Sequence, residues 1–347
     1  MNQSNYLSIP PVVVSFTRGG IVESRHRGYA CVADSDGNLR FSLGDPDYVT
    51  FLRSSAKPLQ AIAAITSGAA EYFGLTEWEL AIISGSHGGE DIHVDTVQSI
   101  LNKLGLDANA LHCGIHPPLD NAAKEALEKS NQPFRVLHHN CSGKHAGMLA
   151  AALVDGIVLD NYLDPDSPVQ RRITGLIAEL AGIQPQDVVI GLDGCSSPVH
   201  GLSMQAAART FARLVDPQEL TPGLKQAAER VVQAMRTYPE MVAARQGRVC
   251  TQLILAGAHV GMIAKAGAEG YYMAAWIDPQ SGKGMGLTLK IEDGAQRARD
   301  PLTMAILQRM GVLDKTLPAN LASYGANPIT NWAGKTVGEV MVDLGQF

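Results

Sequence analysis

Aromatic residues are scarce, at 5% of 347 positions, and charged residues make up only 18%. No block of basic residues occurs, and the net charge is −6, so nucleic acid is not an expected partner. No apolar run reaches the ~18 residues that a membrane-spanning helix needs, so no membrane role is expected. Cysteine is sparse and odd in number: Cys31, Cys113, Cys141, Cys195 and Cys250 are widely spaced. That excludes a disulfide framework and favours a reducing, cytoplasmic location. Met1–Ser8 is polar and lacks the basic and apolar regions of a secretion signal, which agrees. There is no internal repeat and no low-complexity tract. What remains is an ordinary globular composition, 46% hydrophobic, long enough for a sizeable core in one or two lobes.

Strand patterns lie at both ends of the chain. Pro11–Ser15 reads as a strand, and Tyr29–Asp34 and Leu39–Leu43 read as a hairpin about Ser35-Asp36-Gly37-Asn38. Val260–Lys265, Tyr271–Ile277, Met285–Ile291 and Val337–Leu344 are the later strands, with a helix at Pro301–Met310. Helical periodicity fills the middle: Pro58–Ala69, Glu77–Ile83, Asp91–Leu104, Ala146–Val154, Val169–Ala181, Ser203–Leu214 and Pro222–Met241. Thr76-x-x-Glu79 is a capping-box signature. One short strand, Asp187–Leu192, interrupts the helices and runs into Asp193-Gly194-Cys195. The expected fold is therefore α/β, of the α+β type. A mixed sheet is built from both termini, and the middle lobe is largely helical. Residues 8–50 and 247–347 would form the sheet lobe, and 51–246 the helical one.

Four stretches carry candidate chemistry. Ser54-Ser55-Ala56-Lys57 reads S-x-x-K ahead of an apolar helix, which puts a hydroxyl and an amine on one side of a first turn. A serine becomes a nucleophile when a neighbour takes its proton, and a buried lysine can do so. Read alone, the same tetrapeptide also fits a serine N-cap beside a surface lysine. A Ser54 cap would bring the positive helix end near its oxygen, while Pro58 biases Lys57 away from helical backbone angles. Ser84-Gly85-Ser86-His87-Gly88-Gly89 offers a hydroxyl and an imidazole in a loop that a substrate can approach closely. Lys265-Ala266-Gly267 ends a candidate strand. The order S-x-x-K, loop serine, K-x-G is shared with class A β-lactamases and penicillin-binding proteins. The missing S-x-N form and Ala266 in place of a hydroxyl residue argue against a β-lactamase itself.

The fourth stretch, His138-His139-Asn140-Cys141-Ser142-Gly143-Lys144-His145, packs cysteine, histidine and lysine before a helix. Its spacing is not that of a P-loop. With Cys195 it offers two thiols to a metal such as zinc, and Cys113 with His116 forms a competing pair. Two similarities fail. Thr17-Arg18-Gly19-Gly20-Ile21 lacks the second glycine-threonine step of the threonine-dependent asparaginases. The absence of any Gly-Thr dipeptide also argues against an autoprocessed N-terminal-threonine hydrolase.

Together these segments resemble the rhizobial-type (class 3) L-asparaginases. The shared order runs from Arg18-Gly19-Gly20-Ile21-Val22-Glu23 through Arg53-Ser54-Ser55-Ala56-Lys57-Pro58, Ser86-His87 and Asn140–His145. It continues with Asp193-Gly194-Cys195, Pro239-Glu240-Met241-Val242 and Lys290-Ile291-Glu292-Asp293-Gly294. The resemblance implies a fold related to serine β-lactamases and glutaminases, a homodimer, and hydrolysis of L-asparagine to L-aspartate and ammonia. It implies two Ser–Lys pairs, Ser54 with Lys57 and Ser86 with Lys265. It also implies a zinc ion held by Cys141, Lys144 and Cys195, although donor chemistry alone would favour His145 over Lys144. Arg53, Asp193 and His87 are assigned to substrate binding or orientation.

The expected mechanism is attack by Ser54 on the side-chain amide, with neutral Lys57 taking its proton and an acyl-enzyme between. The second lysine, by its charge, would help keep Lys57 neutral. Zinc would anchor substrate, with zinc-activated water as the competing mechanism. The alternative activities are a glutaminase, a β-lactam-type serine hydrolase or a zinc-dependent binding protein.

Overall fold

The computed structural model describes residues 9–345. Met1–Ser8, read above for secretion-signal character, lies outside them.

The chain divides into two compact units. The first takes in the chain up to Thr50, Leu202–Asp216, and Gln252 onward. Its centre is an eight-stranded sheet in the order Pro328–Thr330, Thr336–Val342, Val12–Arg18, Ile21–Asp34, Gly284–Ile291, Tyr271–Ile277, Ile263–Ala266. Leu39–Leu43 pairs with the second half of Ile21–Asp34. Both chain ends contribute, as the sequence pattern requires, and the pairings are antiparallel. The helix Met204–Val215 lies across Gly284–Ile291 at very short range. A Cβ on Gly286 would stand 1.9 Å from the Ala208 carbonyl oxygen, and one on Gly284 2.3 Å from that of Ala212. These glycines let a helix backbone rest on a strand. Thr288, next on the same face, donates its hydroxyl to the Met204 carbonyl at 3.0 Å. The alternate residues Leu287, Leu289 and Ile291 point to the other face and are fully buried.

The second unit, Phe51–Gly201 with Pro217–Thr251, is mainly helical. Its central element is Lys57–Thr66, every residue of which from Lys57 to Ile65 is buried. Helices Ser142–Val154, Pro168–Ala181 and Pro222–Thr237 pack around it. A helix apolar on all sides belongs in a core, and alanine at positions 61, 63 and 64 lets its neighbours approach. Glu77–Ile83 starts at the capping box anticipated from Thr76 and Glu79.

Some elements differ from the sequence reading. Ser142–Val154 begins four residues before the expected Ala146, because Gly143 is a packing position and not loop, as Gly147 is one turn on. A Cβ on Gly143 would meet the Ile82 carbonyl at 2.7 Å, and one on Gly147 the Ile83 side chain at 2.6 Å. The helix read as Pro222–Met241 breaks at Tyr238, since Pro239 cannot donate a backbone N–H. Pro301 lies inside Gln296–Arg309 instead of opening it. No helix among the described residues is long and apolar enough to cross a membrane.

Candidate active site

The segments singled out around Ser54, Ser86, Cys141 and Cys195 all belong to the helical unit, and its fold gathers them. Arg53–Ala56 forms a 3-10 turn that runs directly into the central helix. The Lys57 N–H donates to the Ser54 carbonyl, closing that turn. Residues three apart in a 3-10 turn are eclipsed, so Ser54 and Lys57 share an edge. Ser54 does not cap the helix; Ala56 occupies that position. Lys57 adopts right-handed helical angles, φ −59° and ψ −39°, despite the following proline. The tertiary fit of the helix overrides the local bias of Pro58.

Lys57 is 1% exposed, and its amine donates to Ser86 Oγ at 2.9 Å and to the Asn140 carbonyl at 2.9 Å. The partner of Lys57 is therefore the loop serine. Among the described residues no side-chain hydrogen bond joins it to Ser54, the pairing that S-x-x-K suggested. Burial lowers the Lys57 pKa. Cys141 and Cys195 oppose that effect, Lys144 adds to it, and the net shift is downward. Within the helical unit, Lys144 is a cation that acts on Lys57. Lys265 lies in the sheet unit, buried on the strand Ile263–Ala266, with its amine donating to the Ala266 carbonyl at 2.9 Å.

Ser86 is held by its own backbone: its N–H donates to the Val242 carbonyl at 2.8 Å. Gly85 permits this approach, because a Cβ there would be 2.5 Å from the Met241 carbonyl. The Pro239–Val242 motif thereby acquires a role as the bed of the Ser86 loop. The Glu240 carbonyl also receives His93 Nε2 at 3.0 Å.

The run Asn140–His145 can be read residue by residue. Asn140 gives its carbonyl to Lys57 and its N–H to His116 Nε2 at 3.1 Å. Cys141 stands at the N-cap of Ser142–Val154. Ser142 donates to the Leu137 carbonyl at 3.0 Å, so its oxygen accepts from His87 Nε2 at 2.9 Å. His87 is fully buried, and this bond makes it a brace for the helix start. Lys144 donates to Cys195 Sγ at 3.1 Å and to Ser197 Oγ at 2.6 Å.

Cys195 comes from the loop of a hairpin, Val189–Leu192 paired with Pro198–Ser203. The Asp193 N–H donates to the Ser197 carbonyl at 3.0 Å, and Ser196 takes a left-handed φ of +67°. Asp193 Oδ1 receives Arg53 Nε at 3.1 Å, Arg53 Nη2 at 2.9 Å and the Gly194 N–H at 2.8 Å. Burial raises the Asp193 pKa, but the Gly194 N–H and Arg53 outweigh it and hold the carboxylate below its usual range. Arg53 itself has φ +50°. Two non-glycine residues with strained backbone thus flank the joined segments, a pattern that recurs at functional sites.

The Cys141 thiol is held well below its ordinary range. Its hydrogen bond with Cys195 is the largest cause; burial opposes it, and Lys57 and Lys144 reinforce it. The helix N-terminus acts in the same direction. Lys144 shifts the other way: burial lowers its pKa, but Cys195 and Cys141 raise it more. Two thiols and one amine that exchange charge at this range form a donor set that fits a thiophilic divalent ion, provided the amine gives up its proton. Among the described residues no group of three or more His, Cys, Asp or Glu side chains is gathered as a metal site. The competing pair dissolves: burial pushes the Cys113 thiol up to about 12, and both ring nitrogens of His116 are taken by Pro117 and Asn140.

The sequence matches the L-asparaginase II family over residues 14–342. The chain belongs to that family. It is an amidohydrolase family, and the site just described lies within the matched span. No curated relative matches the sequence. Among solved structures, the chain is similar to a probable glutaminase from Bacillus subtilis complexed with 6-diazo-5-oxo-L-norleucine, at 14% identity and TM-score 0.38 over 82% of this chain and 84% of that one. It is also similar to a Bacillus glutaminase, at 14% identity and TM-score 0.39 over 82% and 91%. Similarities of that size carry no assignment of substrate.

Sequence reasoning missed the Asn140 carbonyl, Ser142 and Ser197 as parts of the site. Asn140 and Ser142 sit inside a motif that was singled out and Ser197 lies two residues beyond another, so nearness to a motif was the available signal. Tyr162, which hydrogen-bonds His145 at 2.6 Å, had none.

Proposed function

We propose that this protein hydrolyses L-asparagine to L-aspartate and ammonia by a Ser–Lys mechanism. The observation that carries the reading is the buried Lys57 amine, shifted toward neutrality and 2.9 Å from Ser86 Oγ. A neutral amine has two N–H groups, and Ser86 and Asn140 offer it two acceptors. Its lone pair is then left to accept a proton. Ser54, on the adjoining turn, is half-buried, whereas Ser86 is 4% exposed. Accessibility favours Ser54 as the nucleophile. Lys57 takes its proton, and Ser86 passes a proton toward the departing ammonia. Water then releases aspartate from the acyl-enzyme. Lys265 remains the proposed second partner of Ser86, and Arg53, Asp193 and His87 the groups proposed to bind or orient substrate.

Cys141, Lys144 and Cys195 would hold zinc, with Lys144 neutral. When bound, the ion supplies a positive charge that can anchor a polar substrate group. Thiols in that role fit a reducing, cytoplasmic compartment, and among the described residues no cysteine forms a disulfide. The assembly expected from the resemblance is a homodimer.

The test is ammonia release from L-asparagine and L-glutamine, with and without chelator. Asparagine turnover that exceeds glutamine turnover supports the reading. Preference for glutamine overturns the substrate in favour of the glutaminase alternative. Loss of all kcat on chelation, rather than weakened KM, overturns the anchoring role of the metal.

A further inference from the structure

The Asn140 carbonyl that receives the Lys57 amine at 2.9 Å is a backbone group. Its direction is set by how the chain is held around it. Two consecutive N–H groups at this point donate to imidazoles. The Asn140 N–H donates to His116 Nε2 at 3.1 Å, and the Cys141 N–H to His139 Nδ1 at 3.0 Å. The two rings stand 4.0 Å apart, centroid to centroid, tilted by 47°. In a trans peptide the carbonyl and the following N–H point opposite ways. The plane that joins Asn140 to Cys141 is therefore held by His139 on one edge and meets Lys57 on the other. His116 secures the N–H just before it, from a segment 24 positions earlier. A backbone N–H is a donor in every state, so the bond from Asn140 places a lone pair on His116 Nε2. The ring proton then sits on Nδ1, which donates to the Pro117 carbonyl at 2.5 Å. The Asn140 side-chain oxygen also lies 3.3 Å from Nε2, a longer contact than the N–H.

We propose that His116 is a positioning residue for Lys57: it fixes the Asn140 backbone, with His139 as the second hold, so that the Asn140 carbonyl keeps the Lys57 amine turned for proton transfer. The chain of contacts runs from His116 Nε2 through the Asn140 backbone to Lys57 Nζ and Ser86 Oγ, all within the helical unit. An amine on a flexible four-carbon stem turns freely unless its N–H groups are held. With the carbonyl displaced, Lys57 loses one of its two acceptors, and the direction of its lone pair is no longer set. A misplacement of about 1 Å at a reacting group costs on the order of 10²-fold in rate. His116 of the Cys113–His116 pair thereby acquires a task that the sequence pattern did not show. The inference rests on the reading of Lys57 as the general base.

The test compares His116→Leu with His116→Gln in the full-length enzyme. Glutamine carries an acceptor oxygen to about the place of Nε2; leucine fills the space and accepts nothing. His116→Leu is expected to lower kcat for L-asparagine by about 10–100-fold, with KM within about threefold of wild type. His116→Gln is expected to recover at least about fivefold of that loss. Equal losses in both variants, a loss carried by KM, or wild-type kcat in His116→Leu overturns the proposal. Should His116→Leu not fold, His116→Asn, whose amide is too short to reach, takes its place with the same expectations. Hydrogen exchange, read by mass spectrometry of overlapping peptides, checks the contact itself. The Asn140 amide is expected to exchange at least about tenfold faster in His116→Leu than in wild type, with the Cys141 amide unchanged; equal Asn140 exchange overturns the proposal. In a Lys57→Met background, adding His116→Leu is expected to cost no more than about twofold, and a full further loss would place its action elsewhere and overturn the proposal. A Lys57→Met enzyme at wild-type kcat overturns the base reading and the catalytic part of this proposal together, while the exchange pattern still decides whether His116 holds the Asn140 backbone.

Discussion

Two helix starts in the helical unit each bury a lysine, and the two amines move in opposite directions. Lys57 opens Lys57–Thr66, and Lys144 lies in the first turn of Ser142–Val154. Both are nearly inaccessible, at 1% and 3% exposure. Burial alone would push both toward neutrality. Lys57 follows that rule because burial, with repulsion from Lys144, outweighs the pull of Cys141 and Cys195. Lys144 breaks the rule because Cys195 and Cys141 stand against it. Burial alone therefore does not decide the protonation of a buried lysine; the balance between burial and the charges around it does. The pairing also supplies a division of labour: one amine is free to take a proton, and the other balances two thiols.

The strongest way to break this comparison is to remove the Lys57 amine. Lys57→Met is expected to lower kcat for L-asparagine by about 10³–10⁴-fold, the scale of a lost general base, while circular dichroism stays near wild type. Ser86→Ala should cost less, about 10²-fold, if it relays rather than attacks. A Ser86→Ala enzyme as inactive as Ser54→Ala would exchange the two roles. Asp193→Asn should act mainly on KM, because it weakens the charged hold of Asp193 Oδ1 on Arg53 without touching Lys57; rate assays across substrate concentration separate the two parameters.

The sheet unit provides the control. Gly286→Ala would drive a Cβ into the Ala208 carbonyl and should destabilise by about 1–3 kcal/mol in denaturant titration, with no specific effect on substrate selectivity. The smallest effect concerns pH. Burial lowers both His93 and His200 to about 4. In the unfolded chain each would titrate near 6.5, so below that pH the unfolded state binds the extra protons. Stability is then present above about 6.5 and is lost as pH falls toward 4, by up to ~1.4 kcal/mol per unit for each histidine. A melting temperature unchanged between pH 7 and 4.5 would contradict this.

The class of fold was legible because strand and helix periods changed where the chain enters and leaves the helical middle. Tyr271–Ile277, Glu77–Ile83 and Asp91–Leu104 end where their patterns end. The helix start at Ser142 was not legible: Gly143 fell before the expected helix because sequence does not show the Ile82 carbonyl it must clear. The motifs that hold Ser54, Lys57, Ser86, Cys141, Lys144 and Cys195 were legible, and all fall in one unit. The contacts among them were not. S-x-x-K suggested a serine three residues away, whereas the Lys57 amine reaches a serine 29 positions on. Long-range contacts of that kind leave no local spacing to read.

The most direct test uses an asparagine-length diazoketone that alkylates the attacking hydroxyl, followed by peptide mapping. The account predicts one adduct on Ser54 in the wild-type enzyme and none in Lys57→Met. An adduct on Ser86, or an undiminished adduct without the Lys57 amine, would contradict it.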